Sequence, residues 1–330
     1  MQLRGAYIAG LGSYVPEKVL TNEELSRIVD TSDQWIVEHT GIRERHVVVE
    51  GENCSDLAVH AAARALQDAG VDPLQVGLVI VATISADMPF PAVSCLVQGR
   101  LGLKGAAAFD LTCGCTGWVQ ALTTASQFVQ TGAYDNVLVI GAETLSRVTD
   151  WTDRATCVLF GDGACAAVLK PCEPDQGFIG FAMSNAGEAA QFLRIPAGGT
   201  RQRLTPELLA AHDDCLRMEG HEVFKLAVRG CPEIAQRALE AAGVHPHEVD
   251  VAILHQANLR IIDAAAKRLD IPKDRMVINL DRYGNTSAAS IGIALDEHRR
   301  EHGLNPGDLV LLVGFGAGFA LAATVIRWVA

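Results

Sequence analysis

Two stretches of this chain are copies of one another, and that copying limits the possible folds more than any other feature. Ala69-Gly70-Val71-Asp72-Pro73, two residues, then Val76-Gly77-Leu78-Val79-Ile80-Val81-Ala82 recurs 173 positions later. The second copy reads Ala242-Gly243-Val244-His245-Pro246, two residues, then Val249-Asp250-Val251-Ala252-Ile253-Leu254-His255. The same spacing relates Asp135–Gly141 to Asp308–Gly314, and Ala121-Leu122 to Ala294-Leu295. A constant offset across several segments marks a duplicated structural unit. Each unit reads as an Ala-rich helix (residues 56–69 and 222–242), a Gly-x-x-Pro turn, an apolar strand, a helix and a second apolar strand. The chain therefore divides into two halves, 1–172 and 173–330.

The strands are nearly continuous hydrophobic runs: LVIVATIS (78–85), VLVIGAE (137–143), VAILHQ (251–256) and LVLLVGFG (309–316). Such runs suit strands covered by helices on both faces. Hydrophobic residues make up 49% of the chain but aromatic residues only 5%. The core is thus aliphatic, and small side chains let buried helices lie close to their sheets. An α/β fold follows, with two βα halves set face to face as helix, sheet, helix, sheet, helix. Chemistry in such open sheets belongs to loops beyond the strand ends.

Several function classes fall away. The net charge is −12, and no Lys/Arg run offsets it, so nucleic acid is not an expected partner. No run of about 18 apolar residues occurs, so no membrane span is expected. The first residues, MQLRGAYIAGLGSYVPE, carry no charged segment followed by a long apolar one, and nine cysteines are present. A cytoplasmic protein with reduced thiols is the simplest expectation. Cys113 and Cys115 have no second pair at zinc spacing, so no metal site is expected. His298-Arg299-Arg300-Glu301-His302 fits H-x-x-E-H, but it lies at the charged end of an amphipathic helix with no evident third ligand. It reads as a solvated helix face.

One candidate nucleophile stands out. Ala107–Leu111 reads as a short strand, and VQALTTASQFVQTG as a helix. Between them runs Thr112-Cys113-Gly114-Cys115-Thr116-Gly117-Trp118. Cys115 falls at the helix start between two glycines, where a helix dipole favours an anion and is expected to lower the thiol pKa toward neutrality. A thiolate attacks thioesters well. The competing reading makes Cys115 one more small buried hydrophobe. Cys113, on the strand side of the turn, reads as packing.

His255 ends a buried strand and opens His255-Gln256-Ala257-Asn258-Leu259-Arg260. Asn285 lies in Tyr283-Gly284-Asn285-Thr286-Ser287-Ala288-Ala289-Ser290, before a helix of small residues. Each has a plain structural reading, a satisfied core histidine and a helix cap. Together, a neutral His and an Asn amide make two donors able to hold an enolate oxygen. Gly314-Phe315-Gly316-Ala317-Gly318-Phe319 follows the last long strand without the spacing of a nucleotide loop. Its N–H groups suit an oxyanion.

These motifs, with Thr31-Ser32-Asp33-Gln34-Trp35-Ile36, Thr40-Gly41-Ile42-Arg43-Glu44-Arg45 and Phe160-Gly161-Asp162-Gly163-Ala164, resemble the 3-oxoacyl-(acyl-carrier-protein) synthase III family nearly end to end. The resemblance implies a thiolase-like fold in five αβαβα layers and an acyltransferase that needs no cofactor. It would condense an acyl-coenzyme A primer with malonyl-acyl carrier protein, decarboxylating the latter, to start type II fatty-acid synthesis as a homodimer. It implies Cys115, His255 and Asn285 as catalytic residues, and the N–H groups of Cys115 and Ala317 as the oxyanion hole. Trp35 and Arg154 would hold the coenzyme adenine between them, and Thr31, Phe224 and Asn258 would line the pantetheine channel. Gln256, Ala257, Asn258, Leu259 and Arg260, with Lys225, Lys267 and Arg268, would meet the acidic carrier protein. Phe90 would reach across the dimer to floor the partner's acyl pocket. The chain departs from the family pattern at His39, Cys113 and the Ala-Leu-Ala after Phe319. Alternatives are a related condensing or acyl-transferring enzyme of secondary metabolism, and a non-catalytic carrier-binding paralogue. A thiolase would need a second cysteine within 314–319, where none occurs.

Overall fold

The computed structural model describes residues 4–329; Met1 to Leu3 of the N-terminal reading, and Ala330, lie outside the described residues. Nine strands form the main sheet: β1 (Gly5–Tyr14), β2 (Leu78–Ala82), β3 (Ala107–Leu111), β4 (Val137–Thr144), β5 (Asp162–Cys172), β6 (Gly177–Asn185), β7 (Val251–Leu254), β8 (Leu309–Gly316) and β9 (Ala320–Arg327). Their spatial order is β7-β8-β9-β6-β1-β5-β4-β2-β3. Six helices matter below: α1 (Asp33–Thr40), α2 (Cys54–Ala69), α3 (Gly117–Gln130), α4 (Gly220–Ala242), α5 (Leu259–Leu269) and α6 (Ser290–His302).

The repeat in sequence is a repeat in hydrogen-bond register. Strands β2 and β4 pair in parallel, with Leu78 opposite Val137 and Val81 opposite Ile140. Strands β7 and β8 also pair in parallel, with Val251 opposite Val310 and Leu254 opposite Val313. Every partner is displaced by the same 173 positions. Helices α2 and α4 end alike, on Gly70 and Gly243 in the left-handed conformation (φ 61° and 66°). A side chain would strain either residue, which explains the shared Ala-Gly-Val.

Alternation along the strands builds the layers. Leu78, Ile80, Val137 and Val139 face inward, as do Val251, Ile253, Val310 and Leu312. They enclose Trp118 and Leu122 of α3 and Ile291 and Ala294 of α6 in one central core. Val79, Val81, Leu138 and Ile140 face outward onto α2. Ala252, Leu254, Leu311 and Val313 face outward onto α4 and α5. The result is the expected five layers, with α3 and α6 as the central one. The two halves of the sheet join through a single parallel pair, Ala6 with Gly177. No helix among the described residues is long and apolar enough to cross a membrane.

One packing device occurs twice. Gly10 on β1 and Gly180 on β6 lie under the last turns of α2 and α4. A Cβ on Gly10 would meet the Ala69 amide and come within 2.6 Å of the Ala65 carbonyl. A Cβ on Gly180 would come within 2.6 Å of the Ala242 amide and 2.7 Å of the Ala238 carbonyl. Backbone cannot rotate away, so the helix must lift. Gly10→Ala and Gly180→Ala should therefore each destabilise the fold by about 1–3 kcal/mol, the usual cost of overpacking, in urea unfolding followed by circular dichroism. A neutral result in either variant would show that the helix seats differently in that half.

Candidate active site

Cys115 lies in a 3-10 turn, Gly114–Thr116, that runs directly into α3. A second 3-10 turn, Ser287–Ala289, runs directly into α6. The two turns are again 173 positions apart, so the nucleophile turn and the turn after Asn285 are two copies of one local structure. His255 follows β7, Gly316 ends β8 and Glu143 lies at the end of β4. All these groups gather where the carboxyl ends of the duplicated strands meet.

Two cavities share Cys115 as a wall. One, of about 200 Å³, is apolar and lies against Ile84, Leu145, Phe160, Ile195 and Leu216, with Ser287 and Ala317 beside the sulfur. The other, of about 90 Å³, holds Cys115, His255 and Asn285 together and opens past Phe224, Ala257 and Asn258. The structure thus brings the three expected catalytic side chains onto one surface.

His255 is 1% exposed. Burial pushes its pKa down to about 3, so the ring is neutral near pH 7. Its backbone N–H donates to the Val313 carbonyl (2.8 Å), and Phe315 packs edge-on at 5.0 Å between centroids. Ser290 Oγ lies 2.7 Å from Nδ1 and also accepts the Gln256 N–H at 3.4 Å. The tautomer in which the serine hydroxyl donates to Nδ1 carries the ring proton on Nε2, available as a donor.

Asn285 is held on both sides by the Phe160-Gly161 segment. Its N–H donates to the Leu159 carbonyl (2.8 Å), and its carbonyl accepts the Gly161 N–H (3.0 Å). Its side-chain Oδ1 accepts the Ser287 N–H at 2.9 Å. The amide oxygen being occupied, the NH₂ group is the end left for a ligand. Behind this segment Arg45 is fully buried. It donates to the carbonyls of Leu20 (3.1 Å) and Val158 (2.8 Å) and to Asn22 Oδ1 (2.8 Å).

The oxyanion expectation concerns two backbone amides. A Cβ on Gly316 would come 2.8 Å from the Cys115 nitrogen, and one on Gly114 would come 3.4 Å from the Ala317 nitrogen. The two loops therefore lie backbone against backbone.

One expectation about the thiol needs correction. Burial pushes the Cys115 pKa up to about 12, and the nearby Glu143 carboxylate pushes the same way. The neighbouring Ser287 side chain and the residue's own N–H pull it down only partly. The helix start does not leave a thiolate waiting, because desolvation outweighs it.

The coenzyme expectations meet a compact entrance. The Arg154 guanidinium lies over the Trp35 ring at 4.8 Å, and its Nη1 donates to the Asp30 carbonyl at 3.1 Å. A base sandwiched between them needs about 7 Å, two van der Waals contacts of about 3.5 Å, so the pair must part. His39 stacks on Trp35 at 4.3 Å. The Thr31 hydroxyl is buried and has no partner among the described residues. Asn258 caps α5, accepting the Arg260 N–H (2.9 Å) and donating to the His39 carbonyl (3.0 Å).

Gln256 corrects the carrier-protein segment. It is 1% exposed, donates to the carbonyls of Leu254 (2.7 Å) and Val277 (3.2 Å), and accepts the Asn279 N–H (3.0 Å). The chain turns inward after β7, and this amide satisfies the backbone of that turn. It has no surface to offer a partner. Leu259 packs against the core beside α5 and Ala257 lines the smaller cavity. The exposed basic residues are Lys225 on α4 and Arg260, Lys267 and Arg268 on α5. Arg268 donates to the Val228 carbonyl (3.0 Å), which joins the two helices into one patch. Phe90 is 87% exposed and lines neither cavity of its own chain.

Three residues around the site carried no role in the sequence: Glu143, Ser287 and Ser290. Glu143 was visible as the one charge ending the apolar run VLVIGAE. The serines lay inside the quoted Tyr283–Ser290 motif, where only Asn285 was singled out.

Comparison with known proteins places the geometry in a family. Models described as 3-oxoacyl-(acyl-carrier-protein) synthase III and as its C-terminal part match residues 109–187 and 239–328. A beta-ketoacyl-(acyl-carrier-protein) synthase III of Desulfitobacterium hafniense is 52% identical over 321 residues, 97% of either chain. A crystal structure of 3-oxoacyl-(acyl-carrier-protein) synthase III from Aquifex aeolicus superposes with a TM-score of 0.90 at 43% identity, covering 98% of this chain and all of that one. The priming beta-ketosynthase of the R1128 polyketide pathway gives 0.92 at 33% identity, covering 99% and 97%. The chain belongs to the 3-oxoacyl-(acyl-carrier-protein) synthase III family, with the thiolase-like fold of that family.

Proposed function

We propose that this chain joins an acyl group from acyl-coenzyme A to the two-carbon unit of malonyl-acyl carrier protein, releasing carbon dioxide and starting type II fatty-acid synthesis. The observation that carries the reading is the convergence of Cys115, His255 and Asn285 on one cavity that opens to the surface. Cys115 attacks the acyl thioester, and the N–H groups of Cys115 and Ala317 hold the tetrahedral oxyanion. Coenzyme A leaves. The malonyl thioester then enters by the same opening. As its carboxylate departs, His255 Nε2–H and the Asn285 amide donate to the enolate oxygen. The carbanion attacks the acyl-Cys115 carbonyl and frees the sulfur. Every step uses side chains and amides of the protein, without metal or redox cofactor.

The apolar cavity beside Cys115 is the acyl site. At about 200 Å³ it exceeds the roughly 150 Å³ cavity that admits benzene, so primers longer than acetyl fit. The basic patch on α4 and α5 takes the acidic carrier protein, which the net charge of −12 would otherwise repel. We place the enzyme in the cytoplasm as a homodimer. Phe90 and the edge strand β3, whose Phe109 is 37% exposed, supply apolar surface for the second copy.

Intact-protein mass spectrometry tests the reading. The enzyme is mixed with a panel of acyl-coenzyme A thioesters, then chased with malonyl carrier protein. Loading of one or a few short acyl groups, followed by their release as 3-oxoacyl product, is expected. Loading without release would favour the acyl-transfer role in secondary metabolism instead. Cys115→Ala should load nothing, whereas Cys113→Ala should keep most activity.

His255→Ala should still load but should condense about 10²–10³-fold more slowly, the usual effect of losing one oxyanion donor. Because the His255 pKa lies near 3, the donor form persists from pH 5 to pH 8. Malonyl decarboxylation by a Cys115→Gln variant should then be flat across that range, and an inflection near 6.5 removed by His255→Ala would contradict the neutral-donor role.

Charge reversal at Lys267 and Arg268 together should raise the KM for malonyl carrier protein several-fold, leaving acyl loading and kcat in place. An unchanged KM would move the docking face elsewhere.

A further inference from the structure

Building on that mechanism, one requirement has no group assigned to it: something must take the proton from Cys115. The neutral His255 ring, with its pKa near 3, is a weak acceptor and its Nδ1 is already engaged by Ser290. A carboxylate lies near the sulfur, beyond Ser287. Glu143 is fully buried at the end of β4. Its Oε2 accepts from Ser85 Oγ (2.5 Å), the Ile84 N–H (3.1 Å) and Thr83 Oγ1 (3.3 Å), while its Oε1 accepts from Ser287 Oγ at 3.0 Å. Ser287 in turn adjoins Cys115, and both line the acyl cavity. The Ser287 backbone is held at φ 47°, with its N–H on Asn285 Oδ1. A side chain in that conformation is strained, and here its hydroxyl is held on the Glu143 carboxylate.

We propose that Glu143 is the proton acceptor for Cys115, acting through the Ser287 hydroxyl. The thiol proton passes to Ser287 Oγ as the hydroxyl proton passes to Glu143 Oε1, giving thiolate, serine and carboxylic acid. The new Ser287 O–H then points at the thiolate and stabilises it. The thiolate forms its S–C bond to the acyl carbonyl carbon as the bond to coenzyme A breaks, and the coenzyme thiolate takes a proton from solvent. When condensation later expels Cys115 as a thiolate, the same path returns the proton, so Glu143 is ionised again after each turnover. Glu143 touches no substrate; it positions the proton.

The acceptor's own affinity fits this work. Burial raises the Glu143 pKa to about 7, partly offset by its four hydrogen bonds. The titratable groups facing it are Cys115 and, from α2, Cys54, whose thiol is itself raised by burial and by the Glu143 charge. No basic side chain among the described residues pairs with it. A group with a raised pKa is protonated below it and ionised above, so the proton-accepting form appears as pH rises through about 7.

Alkylation of Cys115 by iodoacetamide, followed by mass spectrometry across pH 5 to 10, reads the thiolate without any acyl or malonyl substrate. The wild-type rate should rise through an inflection near pH 7. Glu143→Gln and Ser287→Ala should each remove that inflection and slow alkylation at pH 7.5 by about 10²-fold, a common size for a lost general base. Glu143→Asp should keep an inflection, and His255→Ala should keep it unchanged. Ser287→Ala leaves the bonds of Glu143 to Ser85, Ile84 and Thr83 in place, so it decides the matter where Glu143→Gln fails to fold. An inflection that survives in Glu143→Gln or Ser287→Ala, one lost in His255→Ala, or none in the wild type overturns the assignment. A protein that shows the inflection but loads no acyl-coenzyme A keeps the relay and loses the proposed function.

Discussion

Everything at the site depends on two backbone turns meeting with no side chain between them. The Cys115 turn and the turn after Asn285 approach from the two halves of the duplicated fold, and small residues alone permit it. A Cβ on Gly141 would come 2.6 Å from the Ala288 carbonyl, and one on Gly316 would come 2.8 Å from the Cys115 nitrogen. Around them the central helices bring Ala121, Ala125 and Ala294, and the turn into α6 brings Ala288 and Ala289, into the core, each essentially unexposed. Larger residues would separate the sheets and draw His255 and Asn285 away from the sulfur. A chain this poor in aromatics pays for close approach in core volume and recovers it by layering, with one continuous core shared between both sheets.

Depth then sets the chemistry. Burial acts on all three titratable groups in the same physical way, by disfavouring whichever form is charged. For His255 the result is a neutral ring, which a hydrogen-bond donor to an enolate should be. For Cys115 the result is a thiol that does not ionise unaided, and for Glu143 a carboxyl group near neutrality. One low-dielectric pocket thereby sets the charge state of all three groups. It also strengthens each dipole aimed at the developing oxyanion, since the field of a backbone N–H is screened least where water is absent.

Much of this was legible in the residues. The 173-residue offset foretold the fold because hydrogen-bond register is inherited with sequence: Leu78 opposite Val137 becomes Val251 opposite Val310. Cys115 and His255 were visible as polar residues standing after apolar strands, and Asn285 as an amide in a turn before a small-residue helix. The failures share one cause. Whether Gln256 faces a partner or its own backbone depends on the direction of a turn, and the Cys115 pKa depends on what covers the helix start. Both are properties of packing between segments far apart in sequence, which periodicity and spacing do not encode. Glu143 shows the same limit from the other side. A charge at the end of a buried strand was in plain view, yet its meaning came only with Ser287, 144 residues away.

The duplication also explains why the site is asymmetric. Position 115 in one copy is a cysteine, and its counterpart, position 288, is an alanine. Position 82 in one copy is an alanine, and its counterpart, position 255, is the histidine. The first half thus keeps the cysteine, the second the histidine and Asn285, with alanine at both counterpart positions. The asymmetry is therefore one of side chains: the same unit, folded twice around one pocket, carries different residues at its equivalent positions.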